Sequence, residues 1–339
     1  MANQTVPQPI VASRPVKKSK NTPLVPQIMK QGSVAPWLYL APALIVMTLF
    51  IVYPMLNTIA LSFQNGDATA SAATQCRAGQ PCWGIFENYR YALTGELNTT
   101  SPGAIWSSFW QSSYGNNLKW MILMVTGTVS LGLLIAVLAD RVRYEALAKA
   151  IIFTPMAISF VGAGIIWRFV YDYGTQQQQI GLLNAIITRF GGSPIAWLQT
   201  PGINTLALIT VGIWMWTGFC MTILGASLKS VPEEIIEAGR MDGASEWTIF
   251  WRLMVPIIMP TIIVVITTMV INVLKIFDIV YVMTGGNFGT DVIANRMYEE
   301  MYVNFNVGRG TAVSVVLIIF ILPFLILNIR RFREQEATR

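Results

Sequence analysis

VPEEIIEAGRMDGASEWTIFWRLMVPIIMP, Val231 to Pro260, is a polar, charge-bearing segment held between two apolar blocks of membrane length. It reads as a docking surface between spans. Pro232 suits a first helical position, and Glu233, Glu234 and Glu237 set negative charge near the positive end of a helix dipole. Asp242-Gly243 ends that helix, because Gly readily takes the left-handed geometry of a C-terminal cap. Ser245 can cap a second helix, with Asp242 competing for the role. Trp247, Phe250, Trp251 and Arg252 give that second helix a mixed face. The plainer alternative is an interfacial amphipathic helix lying on the membrane surface.

The composition sets the class. Hydrophobic residues make up 54% of the chain and charged residues only 12%, with a mean hydropathy of +0.53. That is a polytopic membrane protein. Six runs reach the roughly 20 residues needed to cross the hydrocarbon: Trp37 to Phe63, Leu118 to Ala139, Ala150 to Val170, Thr205 to Leu228, Ile257 to Met283 and Thr311 to Ile329. Backbone polar groups in lipid must pair within their own segment, so the spans are helices and the fold is all-α. Pro42, Pro54, Pro155 and Pro323 are expected to kink their helices or to sit near an end.

Lys and Arg are asymmetric about these spans. Fifteen fall on the side that carries both termini and the Glu237 loop, against six on the other, so that side is read as cytoplasmic. The bias accounts for the net charge of +6, and no basic stretch is interleaved with aromatics as a nucleic-acid groove requires. Residues 1–35 read as a flexible cytoplasmic tail, 36–332 as the six-span domain and 333–339 as a cytoplasmic C-terminal tail. Within the domain, 64–117 form the large external loop and 229–256 the cytoplasmic one. The first span is long enough to be retained as an anchor. Gln176 to Gln179 form a solvated tip in the next external loop.

Cys76 and Cys82 both lie in 64–117, where an oxidising compartment permits a disulfide; two free thiols are the alternative. Cys220 lies in a span and reads as a small packing residue. The chain has no His, which removes His-based catalytic and metal arrangements. It has no GxxxxGK[ST] loop to cradle nucleotide phosphates, so no cofactor is expected on this chain.

Glu237-Ala238-Gly239, then Gly243, then Leu253-Met254-Val255-Pro256 resemble the EAA loop of membrane subunits of ABC importers, and the flanking residues resemble its carbohydrate branch. Gly239 stands where the family pattern has its third Ala, Leu253 where it has Ile and Val255 where it has Leu. The likeness continues through Phe277-Asp278-Ile279-Val280-Tyr281-Val282-Met283-Thr284-Gly285-Gly286 and Asn304 to Ala312, while Asn287-Phe288 replaces a frequent Gly-Pro. The resemblance implies the type I importer permease fold in a bacterial inner membrane. Glu237, Ala238, Gly239, Arg240, Met241, Asp242 and Gly243 then form a coupling helix for a cytoplasmic ATPase. It also implies a second permease, expected to form a heterodimer with this one, two ATPase subunits holding ATP and Mg, and an external sugar-binding protein. The likeness is nearest to permeases for α-glucosides, including glucosylglycerol, sucrose and trehalose.

Polar residues inside spans mark a substrate path, because they are costly in lipid. Asn272, Lys275 and Asp278 are spaced by three on the fifth span and are expected on one helical face. By resemblance, Phe160, Trp216 and Phe219 join Asn272 and Lys275 around a sugar. Each has a plainer role: Trp214 and Trp216 as packing or belt residues, Lys275 and Asp278 as a mutually neutralising pair. Arg168, Tyr171 and Asp172 read as an external gate or interface cluster. The competing function is a proton-coupled secondary transporter using Asp278 and Lys275, which leaves the Glu237 loop without a purpose.

Overall fold

The computed structural model describes residues 35–64, 86–140, 142–174 and 181–337. Cys76, Cys82, Gln176 to Gln179 and most of the N-terminal tail lie outside the described residues. Cα packing divides the chain after Pro54. The first unit holds α1 (Ala35–Met47) and a π turn, Thr48–Val52, that ends just ahead of Pro54. A proline deletes one N–H from the helical ladder, and a widened turn beside it is a common accommodation.

The described part of the second unit is built of helices joined by turns and irregular loops. It contains α2 (Tyr53–Leu61) from Met55 onward, α3 (Glu87–Thr94), α4 (Pro102–Gln111), α5 (Ser113–Ala139), α6 (Glu145–Phe153), α7 (Phe160–Val170), α8 (Leu182–Arg189) and α9 (Ile203–Lys229). There follow α10 (Glu233–Met241), α11 (Glu246–Ile249), α12 (Val255–Leu274), α13 (Asp278–Met283), α14 (Ile293–Tyr298) and α15 (Val307–Ala337). Among the described residues, five helices are long and apolar enough to cross a membrane, and the pair α6 and α7 makes a sixth crossing if counted as one broken span. The expected set of about six spans therefore stands.

Two of those spans depart from a straight helix. The third does more than kink at Pro155: a 3-10 turn, Thr154–Ala157, intervenes, and the two halves meet at 99°. Ser159 restarts the helix, its Oγ accepting from the Gly162 N–H at 3.0 Å. The fifth span breaks at Lys275, whose φ/ψ of −97/12 end α12, and Phe277, whose −139/−59 precede α13. Asn272, Lys275 and Asp278 thus do not share one helical face. No ion pair joins Lys275 to Asp278 among the described residues, so the neutralising pair is also not formed.

The core is built where α5 lies against α9, both of them 27 residues long. A Cβ added at Gly132 would meet the Cys220 Cβ at 2.6 Å and the Met221 backbone N at 2.9 Å. Only glycine lets the two backbones approach so closely, as small residues do between membrane helices. Trp120, Met124, Leu208, Met221 and Leu224 fill the same seam and are fully buried. Cys220 is buried and unbridged, the packing role expected of it.

Asparagines anchor the segment between α13 and α14 to the start of those spans. Asn116 Nδ2 donates to the carbonyls of Gly289 (2.7 Å) and Asp291 (2.8 Å), and Asn204 Nδ2 to that of Phe288 (2.8 Å). These bonds hold Phe288 at φ +59, a left-handed geometry costly for a side-chain-bearing residue. Beside them, Arg296 is buried and donates to the last carbonyls of α3, Tyr91 O (3.0 Å) and Ala92 O (2.9 Å), with Glu96 3.5 Å away. A cation there meets the negative end of the α3 dipole.

Asp291 lies outside the spans, and burial lifts its carboxyl to about 7 from an ordinary 3.8, with Glu96 and Glu299 pushing the same way. Hydrogen bonds from Asn295 Nδ2 (2.7 Å) and the Val292 N–H (2.9 Å) oppose that shift. Because the folded chain keeps a proton that the unfolded chain releases, this group's contribution to stability is complete below its unfolded value and is lost as pH rises through about 7. The apparent Tm of the purified protein is therefore expected to fall between pH ~5 and ~8, and Asp291→Asn to remove a few degrees of that fall. Identical pH slopes for the two proteins would contradict the assignment.

Candidate functional site

The quoted segment folds as a helix, a tight turn and a second helix. Pro232 sits one position ahead of the expected place, as the residue that caps α10, with ψ at 130. Asp242 closes α10 and Gly243 follows at φ +79, the left-handed turn its sequence anticipated. Ser245, not Asp242, caps α11: its Oγ accepts from the Thr248 N–H at 3.3 Å. Across the turn Arg240 Nε donates to Glu246 Oε1 at 2.8 Å, which clamps the two helices at their junction. Both side chains are more than half exposed, so the pair contributes little energy and mainly fixes geometry.

The exposure pattern decides which face of α10 is available. Glu237, Ala238, Arg240, Met241, Asp242 and Gly243 are exposed, with Met241 at 88%, whereas Gly239 is buried. A Cβ on Gly239 would lie 2.8 Å from Leu253 Cδ1 and 3.3 Å from Ile249 Cγ1. Two of the three departures from the family pattern of this loop noted above thus touch each other: the glycine leaves the room that Leu253 fills. Below this surface, a π turn at Phe250–Met254 carries the chain directly into α12.

A four-residue ion cluster braces the root of the loop. Lys149 Nζ meets Asp140 Oδ1 at 2.9 Å and Glu145 Oε1 at 2.6 Å, and Lys229 pairs with the same two carboxylates. The cluster ties the end of α5, the start of α6 and the end of α9, and α10 begins four residues after Lys229. The root of α10 thus lies beside a bonded junction of three spans.

Of the residues expected on a substrate path, Phe160, Trp216 and Phe219 do come together. The Phe160 and Trp216 rings lie 6.1 Å apart and the Trp216 and Phe219 rings 5.5 Å apart, edge to face. Asn272 spends its amide on the Thr268 carbonyl at 3.1 Å, and Lys275 is exposed at the break after α12. Arg168, Tyr171 and Asp172 line a cavity of about 720 Å³ together with Trp197, Tyr281 and Asn287. Sequence reasoning passed over the buried amides of Asn116, Asn184 and Asn204, and over Arg296. The available signal was a lone polar residue at the edge of an apolar run, which does not name a partner far along the chain.

Residues 128–332 match the family described as binding-protein-dependent transport system inner membrane component. The chain is 48% identical over 303 residues to the osmoprotective compounds uptake permease protein GgtC of Synechocystis, covering 89% of this chain and all of that one. It is 43% identical over 308 residues to the alpha-glucoside transport system permease protein AglF of Rhizobium meliloti, covering 90% and 84%. Its fold matches a chain in the crystal structure of a bacterial ABC transporter involved in the import of the acidic polysaccharide alginate, with a TM-score of 0.67, 21% identity and coverage of 87% and 95%. Nothing among these relatives supports the proton-coupled alternative. The chain belongs to the binding-protein-dependent transport system inner membrane component family and is a permease subunit of an ABC importer.

Proposed function

We propose that this permease moves a neutral glycoside inward by alternating access, paired with a second, non-identical permease and driven by ATP and Mg bound to two ATPase subunits. The observation that carries the reading is α10: a short helix with Glu237, Ala238 and Met241 exposed, clamped to α11 and continuous through it with a span. Such an element suits a coupling helix, because closure of an ATPase dimer can drag it without melting it. The ion cluster at Lys149 and Lys229 then turns the drag into rigid-body rotation of the spans. The Lys and Arg bias supports placing α10 and both termini in the cytoplasm, with the opposite end toward an external sugar-binding protein.

The substrate class rests on the relatives, whose names concern osmoprotective compounds and α-glucosides. Glucosylglycerol, sucrose and trehalose are the compounds to try first. Phe160, Trp216 and Phe219 offer the aromatic faces that suit a sugar ring, with Asn272, Lys275 and Asp278 as polar candidates nearer the break in the fifth span.

Two measurements check the coupling role. In co-purification from solubilised membranes, the parent should bring down an ATPase subunit and a second permease, while Glu237→Ala with Gly243→Pro should lose the ATPase and keep the other permease. An ATPase retained by that variant would show that coupling lies elsewhere. In the second, Gly239→Ala should lower the apparent stability of the complex by about 1–3 kcal/mol through overpacking against Leu253. Adding Leu253→Ile should recover part of that loss; strictly additive effects would show that the two positions do not share the space.

A further inference from the structure

We propose that the cavity of about 720 Å³ between the end of α7 and the segment after α13 is a holding chamber for a neutral glycoside, occupied before the sugar reaches the spans. The inference rests on the transport reading above and adds to it a site at the end of the molecule opposite α10. Its volume lies within the roughly 300–1,000 Å³ typical of small-molecule sites. Its lining joins aromatic surface from Trp197 and Tyr281 to planar polar groups on Arg168, Asp172, Asn287 and Gln199. Aromatic faces take the apolar side of a pyranose and planar polar groups take its hydroxyl rim. One cation and one anion offset each other, which suits an uncharged polyol better than an anionic sugar.

The walls are held from behind by three buried asparagines, and this separates the cavity from an incidental gap. Asn184 is fully buried and all of its amide is used: Nδ2 donates to the carbonyls of Asp172 and Ile195, both at 3.0 Å, and Oδ1 accepts from the Ile195 N–H (2.9 Å) and Trp197 Nε1 (3.2 Å). One side chain thereby sets the Asp172 backbone and the Trp197 ring on the first wall. Asn204 and Asn116 fix the opposite wall through Phe288, Gly289 and Asp291. The strained backbone of Phe288 is maintained by these bonds. Walls fixed in advance lower the ordering cost of binding, which matters for a ligand that must be held weakly and passed on.

Thiol protection in the assembled, nucleotide-free complex without its binding protein tests the proposal. Gln199→Cys, exposed on the cavity wall, is introduced with Cys76→Ser and Cys82→Ser; Cys220 is buried. Labelling by a membrane-impermeant maleimide is followed with sucrose, trehalose and glucosylglycerol, and uptake of the same sugars is measured in parallel. A chamber with Kd of ~5 mM is about nine-tenths filled at ~50 mM sugar, so a transported sugar should slow labelling roughly tenfold. Arg168→Ala should abolish that protection, and Asn287→Cys on the other wall should report the same protection. Labelling unaffected by a sugar that the complex imports would overturn the chamber and leave the importer reading standing. A Gln199→Cys thiol that is unreactive without sugar, though reactive in the isolated chain, would show the cavity covered by protein and would also overturn it. Failure to import any of the three would strike the substrate reading on which the proposal rests.

Discussion

The approach of α5 to α9 at Gly132 and Cys220 sets the positions of everything functional at either end of this bundle. A side chain at Gly132 would collide with the backbone of the other helix, so the distance between these two spans is set by a missing Cβ. Because both helices are 27 residues long and pack along their length, their ends fall level. At one end Asp140 and Lys229 meet in the ion cluster beneath α10. At the other, Asn116 and Asn204 reach the same loop between α13 and α14. The scaffold thus presents two polar platforms joined by a close-packed apolar stem. This is a suitable construction for carrying motion from one platform to the other, since packed cores shift between arrangements and resist continuous bending.

The loop at Val231 to Pro260 was legible in sequence because its determinants are local. Gly243 turns, Ser245 caps, and the acidic residues fall in the first turn of α10, all from contacts within four residues. Span number was legible for the same reason, since hydrocarbon thickness acts on each apolar run separately. What escaped were features decided between distant segments. Pro155 announces a disturbance, but the 99° bend also needs Ser159 to start a new helix in the middle of an apolar run. The break at Lys275 to Phe277 carries no Pro or Gly at all, so a spacing of three was read as a shared face that the backbone does not form.

The buried asparagines show the limit most clearly. Asn204 pairs with a carbonyl 84 positions away and Asn116 with one 173 positions away, separations at which one sequence gives no register. In sequence they are indistinguishable from candidates for a substrate path such as Asn272, because both appear as isolated polar residues in or beside apolar runs. Their hydrogen bonds to distant backbone carbonyls assign them to architecture: a buried amide with partners rigidifies, while one left unpaired would be costly. Arg296 belongs with them, as a buried cation satisfied by the carbonyl end of α3.

The proposed role of this chain is to convert ATP turnover on other subunits into movement of a sugar. Uptake of radiolabelled trehalose or sucrose into proteoliposomes holding the complete complex measures it directly, with ATP or ADP on the α10 side and the sugar-binding protein on the other. Uptake that requires both ATP and the binding protein is the predicted result. Uptake driven by a pH gradient with no ATP present, and lost in Asp278→Asn, would contradict it.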